Sequence, residues 1–144
     1  MRLFNTYGPR QTQFVVSDMF GRLRQNPHRL EVLGTGEQVR TYNFVGDAVH
    51  ALLIVGIHPA ARGHVFNVAG DEQVSIRELA ALVSQAADAQ SPEVVFTGES
   101  WPGDVMRLVA DTSRLRNLGW SPRVGLREGL LRFADWHRTL TDPT

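Results

Sequence analysis

Residues 2 to 11 read "RLFNTYGPRQ". A short strand-like run breaks directly into a Tyr-Gly-Pro turn, with Asn5 at the break. Pro9 has no N–H to give to a ladder and Gly8 permits a sharp reversal, so the stretch predicts a strand over 1–7 that "YGPR" ends. Its counterpart is "HVFNVAG" at 64–70, rich in β-branched and aromatic residues with few polar ones. That composition suits a strand covered on both faces of a parallel sheet. Helical periods lie between and after them. Phe14, Val15, Met19, Phe20 and Leu23 recur at helical spacing over 13–25, and "NP" at 26–27 stops the run. "RLEVLGTGEQVRTYNFVGD" reads as strand, glycine turn and strand, leading into a helix that Asp47 can cap and that is apolar on nearly all sides. Ser75 and Glu78 form a capping box before a helix burying Ile76, Leu79, Ala80, Leu82 and Val83. "EVVF" at 93–96 and "RLVAD" at 107–111 are strand candidates. Asp111 and Thr112 open a short helix over "TSRLRNLGW", and a last helix runs from Leu126 to Leu140. Strands alternating with helices predict an α/β domain.

Composition narrows the chemistry. At 144 residues, 42% hydrophobic and 21% charged, the chain fits one folded domain with a real core. Fifteen basic and fifteen acidic residues cancel, and the basic ones form no run, which argues against nucleic acid and anionic membranes as partners. There is no cysteine, so no disulfide, zinc knuckle or thiol nucleophile; the cytoplasm is the default expectation. Every basic residue is Arg, which removes a Walker A loop and a Schiff base from consideration. "AVHALLIVGI" at 48–57 is far shorter than the roughly 20 apolar residues that span a bilayer. The five histidines show neither HExxH nor His-carboxylate spacing, so no metal site is expected. "LGTGEQ" at 33–38 contains G-x-G, but a strand follows it and the third glycine is absent, so it is not read as a dinucleotide fingerprint.

These residues resemble a known family, the extended short-chain dehydrogenase/reductases that act as NAD-dependent epimerases and dehydratases of nucleotide sugars. "RLFNTYGPRQ" is similar to their R-x-F-N-x-Y-G-P-R-Q segment, and "GTGEQVRTYNFVGDAVHALL" to their G-x-G-x-Q-x-R stretch. "VFNVAG" followed by "SIRELA" matches a later strand and helix, and "PGDVMRLVADTSRLRNLGWSPRVGLREGL" their closing pattern. Four motifs occur in order over almost the whole chain. The resemblance implies the C-terminal, substrate-binding part of an extended Rossmann-type α/β fold. It lacks the Gly-rich NAD-binding βαβ units, and the strands near 1–7 and 64–69 belong to a sheet shared with an N-terminal half. The family's Tyr-x-x-x-Lys pair lies in that half. Its lysine lowers the phenol's pKa so that Tyr can take a proton from the sugar as hydride passes to NAD. This chain has no Lys and has Tyr only at 7 and 42, so no catalytic residue is assigned and the expectation is inactivity alone, with NAD(P) bound in the complete enzyme and not by this chain.

The substrate residues follow from the motifs. A planar guanidinium holds phosphate oxygens with two parallel hydrogen bonds, and Arg40 occupies the family's Q-x-R arginine, with Gln38 a neighbouring polar contact; the alternative is a solvated arginine at a strand end. Asn5 matches an asparagine that faces the substrate, or it closes its own turn before Gly8. The backbone of Leu3 and Thr6 corresponds to the nicotinamide side. Arg107 resembles a further arginine near the nucleotide. Trp101 stands where many members carry a phosphate-contacting Arg, and either stacks on a base or covers a loop. Gly46 replaces an acidic residue before Asp47. Trp120 and Trp136 read as core. Three functions remain open: part of an epimerase or dehydratase, a non-catalytic nucleotide-sugar binding module, or an interaction protein with a degenerate pocket. The expected partners are a nucleotide diphosphate sugar and either the N-terminal half or a second copy.

Overall fold

The computed structural model describes residues 1–98, 103 and 105–140. Its elements run β1 (Arg2–Leu3), β2 (Thr6–Tyr7), α1 (Phe14–Gln25), β3 (Arg29–Val32), β4 (Val39–Thr41), β5 (Asn43–Phe44) and α2 (Val45–Ile57). A 3-10 turn (Pro59–Ala61) then leads to β6 (Asn67–Val68), β7 (Gln73–Ser75), α3 (Ile76–Ala86), β8 (Glu93–Phe96), β9 (Arg107–Leu108), α4 (Ser113–Arg116) and α5 (Leu126–Thr139). The alternation is the expected α/β pattern, in small and mostly parallel sheets. β1 pairs with β6, β2 with β5 and β3 with β8, all parallel, while β4 lies between antiparallel β7 and parallel β9.

The single strand expected over 1–7 is two. Leu3 registers with Val68, but three residues on Thr6 registers with Asn43, so the chain changes partner at Asn5. Asn5 makes the change possible: its carbonyl accepts from the Asn43 N–H at 3.2 Å and its Nδ2 donates to the Thr41 carbonyl at 3.0 Å. The Asn5 and Thr41 carbonyls at the break are thereby satisfied. The side chain thus bonds across to β4 and does not close its own turn.

Two apolar clusters hold these pieces. The larger joins α1, α3 and α5 to the strands through Phe20, Leu30, Leu79, Val83, Leu130 and Phe133. Helix α5 comes so close to β2 that a Cβ on Gly129 would lie 2.1 Å from the Tyr7 hydroxyl, which donates to the Leu126 carbonyl at 3.1 Å. The smaller cluster packs α2 and β6 on Leu115 and Trp120.

Other expectations meet different fates. The Ser75–Glu78 capping box forms as read, with both reciprocal bonds present, and it opens α3. Asp47 is not the cap of α2; Phe44 holds that position and Asp47 sits buried in the first turn. There its Oδ2 accepts from the Val124 N–H at 3.1 Å, and its carbonyl accepts from the Trp120 indole at 3.1 Å, so it fastens the 120–124 segment. Trp120 is core, as read, whereas Trp136 is only partly buried. Phe14 belongs to no core face and is 71% exposed.

Candidate functional site

A cleft of about 620 Å³ opens where the N-terminus of α1 faces β3, β4 and the Asn5 break; Asn5, Gln38, Arg40 and Tyr42 line it from the strand side, Phe14 and Arg22 from the helix. A second lobe of about 320 Å³ continues past Asn5, Phe14, Val15 and Tyr42 and is lined by Leu3, Thr6 and Gln11. The fold therefore gathers Asn5, Gln38 and Arg40, which lie up to 35 residues apart in sequence, into one cavity. It puts Leu3 and Thr6 in the adjoining lobe.

Each is held by local structure. Arg40 occupies the central strand of the three-stranded sheet, in register with Val74 and Leu108, and its Nη1 donates to the Val39 carbonyl at 2.9 Å. The turn before it is pinned from α3. The Arg77 N–H donates to the Gly36 carbonyl at 3.0 Å, its guanidinium donates to the Thr35 carbonyl at 3.2 Å, and it stacks 4.1 Å over the Phe96 ring. Gln38, next in line, is buried. Across the cleft Arg22 donates to the Glu31 carbonyl at 3.1 Å and pairs with its carboxylate at 3.6 Å, so both signs of charge border the cavity.

Arg107 does not line the cleft. The register puts it beside Val39, on the sheet face opposite Arg40, and its Nη2 donates to the Gln73 side chain at 2.5 Å. Trp101 lies outside the described residues. What the sequence missed is the helix wall: Phe14, Val15 and Arg22 read as helix residues, and only the poor start of α1, where Gln13 gives no side-chain cap, hinted at a special role.

Burial pushes the Tyr7 phenol up, reinforced by the Glu72, Asp47 and Glu128 carboxylates. Burial also raises the Tyr42 phenol, against a weaker pull from Arg40. A dinucleotide phosphate finds no cradle at "GTGEQ". Gly36 takes φ +83°, and the space over it is filled by Phe96, whose ring would meet an added Cβ at 2.5 Å. The turn at 33–38 is thus closed to a phosphate at Gly36, and the polar side chains of Asn5, Gln38 and Arg40 lie in the cleft beside it. No group of three or more His, Cys, Asp or Glu among the described residues could hold a metal. No helix among them is long and apolar enough to cross a membrane.

The fold and cleft define part of an extended Rossmann-type short-chain dehydrogenase fold. The family model of GDP-mannose 4,6 dehydratase matches residues 1–133, and the chain belongs to this family of nucleotide-sugar dehydratases and epimerases. It is 34% identical to the dTDP-glucose 4,6-dehydratase of Streptomyces griseus over 99% of its own length and 44% of that protein, and 33% identical to the UDP-glucose 4-epimerase of Mycolicibacterium smegmatis over 93% and 43%. Among solved structures, the UDP-glucose 4-epimerase of Thermotoga maritima with UDP-glucose superposes with a TM-score of 0.84 at 28% identity, over 98% of this chain and 46% of that one. The UDP-glucuronic acid 4-epimerase of Bacillus cereus, in complex with UDP-glucuronic acid and NAD, gives 0.86 at 27%, over 96% and 44%. The chain thus spans less than half the length of these relatives.

Proposed function

We propose that this chain is the nucleotide-sugar-binding part of an NAD-dependent epimerase or dehydratase, with Arg40, Gln38 and Asn5 as its substrate contacts. One observation carries the reading: the three motif residues converge on a single cleft, beside a lobe that holds Leu3 and Thr6. A diphosphate seated against Arg40 gains charge-assisted hydrogen bonds. Beyond its bond to Thr41, the Asn5 side-chain amide has a second N–H and its Oδ1 to offer a sugar hydroxyl. Leu3 and Thr6 give the nicotinamide end of a cofactor its wall. Arg107 acts at most from the far face of the sheet, through Gln73, and Trp101 remains a candidate base contact.

The residues of this chain do not supply the chemistry. It has no lysine, and its two tyrosines are buried, with burial raising both phenols. Turnover requires a second polypeptide segment corresponding to the half of the relatives that this chain does not match, which brings the NAD site. The strands β1 and β6 belong to the sheet shared with it. An apolar stripe on α2 (Val49, Leu52, Leu53 and Ile57, each about half exposed or more) supports such a partner, because a surface of that kind on a finished monomer is unusual.

Calorimetry with UDP and dTDP tests the reading. Binding in the micromolar range or weaker is expected, with Arg40→Ala weakening it roughly tenfold to a hundredfold, the range for hydrogen bonds to a charged group. Absence of heat with either nucleotide overturns the proposal, and unchanged binding by the Arg40 variant overturns the site. Formation of an epimerised or dehydrated sugar nucleotide by the purified chain supplied only with NAD and UDP-glucose or dTDP-glucose overturns the claim that it is inactive alone.

A further inference from the structure

Phe14 stands between the two lobes. It opens α1 at φ +71°, in the left-handed region that a residue with a Cβ avoids, and Arg10 in the same loop is at φ +75°. Strain of this kind in a loop at a cavity persists only where the surrounding structure enforces it, and it collects at ligand sites. The consequence here is specific. Val16, Met19, Phe20 and Leu23 of the same helix are buried to 4% exposure or less, while the Phe14 ring is held 71% exposed. That ring borders both lobes, together with Asn5, Val15 and Tyr42.

We infer that Phe14 is a sugar-positioning residue: its ring packs against the hexose of a bound nucleotide diphosphate sugar, opposite the Asn5 amide. The inference rests on the nucleotide-sugar reading above and adds the group that orients the sugar. A ligand whose diphosphate sits against Arg40 in the larger lobe carries its sugar toward the lobe lined by Leu3 and Thr6, and it must cross the neck where Phe14 stands. A pyranose presents C–H faces ringed by hydroxyls. An aromatic face covers the C–H groups, and the neighbouring amide takes a hydroxyl. The two side chains together distinguish a sugar from a bare phosphate.

The test compares UDP-glucose with UDP, and dTDP-glucose with dTDP, on the full chain by calorimetry, using Phe14→Gly, Phe14→Ala and Phe14→Tyr. These replace an exposed ring, so the core is untouched. Wild type is expected to prefer each sugar nucleotide over the free diphosphate. Phe14→Gly and Phe14→Ala weaken the sugar nucleotides about tenfold, or 1.4 kcal/mol, and leave UDP and dTDP unchanged. Phe14→Tyr keeps the preference. Phe14→Gly melts at a higher temperature than Phe14→Ala, since both lose the ring and only glycine relieves the backbone. A preference that survives in the glycine variant, or is lacking in wild type that still binds UDP, overturns the role of Phe14 and leaves the nucleotide-sugar reading standing. Wild type that binds none of the four ligands overturns both.

Discussion

Helices α2 and α5 have similar lengths, yet they finish differently. Helix α5 turns Leu126, Leu130, Phe133 and Ala134 into the larger core, where Phe133 meets Phe20 at 4.9 Å between ring centroids and Trp136 at 5.3 Å. Helix α2 buries only Asp47, Ala48 and Ala51, and leaves Leu53 62% and Ile57 82% exposed. The residues of α5 are matched by other residues of the same chain. Those of α2 are matched on one side only, with a second apolar face left to water. One half of the molecule is closed by its own sequence, and the other leaves an apolar helix face exposed.

The contrast can be broken by substitution. Phe133→Ala empties a fully buried position and is expected to cost about 3–5 kcal/mol in urea unfolding. Leu53→Ser on the open face should change stability by less than about 0.5 kcal/mol. If the two changes cost the same, α2 is covered in solution, and the difference between the helices disappears. A sharper pair uses glycine. Gly129→Ala drives a methyl into the Tyr7 hydroxyl and should destabilise by about 1–3 kcal/mol. Gly56→Ala, near the end of α2 with nothing within 4 Å of the new Cβ, should stabilise by up to about 1 kcal/mol. Both are read from urea midpoints.

The smallest effect lies at the start of α3. Backbone and side-chain hydrogen bonds from Ser75 hold the Glu78 carboxyl below its usual pKa, and the Ser113 N–H does the same for Asp111. A depressed carboxylate pKa contributes stability that is fully present above the unfolded value, near pH 4, and is lost as pH falls through the folded value. Ser75→Ala should lower the melting temperature by about 4 °C at neutral pH and by less in acid, where wild type has already lost the Glu78 contribution. An unchanged difference between pH 7 and pH 3 shows that the box acts through the serine hydroxyl alone.

Much of this was legible along the chain. Glu78 three residues after Ser75, the helical spacing of Leu130 and Phe133, and the β-branched runs at 64–70 and 93–96 are local signals, and each corresponds to an element. Asp47 misled because a carboxylate near a helix start reads as a cap whichever turn it occupies. The acceptor role it plays toward Val124 involves a residue far along the chain. Arg107 is named in the sequence only through its resemblance to a family arginine near the nucleotide, and a motif carries no information about which sheet face a residue occupies.

By itself, then, the sequence determined the alternation of strands and helices, the family and the absence of lysine. These depend on residue type and on spacing of a few positions. Only the tertiary structure decided that the first strand splits at Asn5, that Arg40 and Arg107 lie on opposite faces, and that Phe14 leaves the core to stand in a cleft. Each of those depends on which distant backbone a strand pairs with, and pairing is set by the packing of the whole chain, which no short stretch encodes.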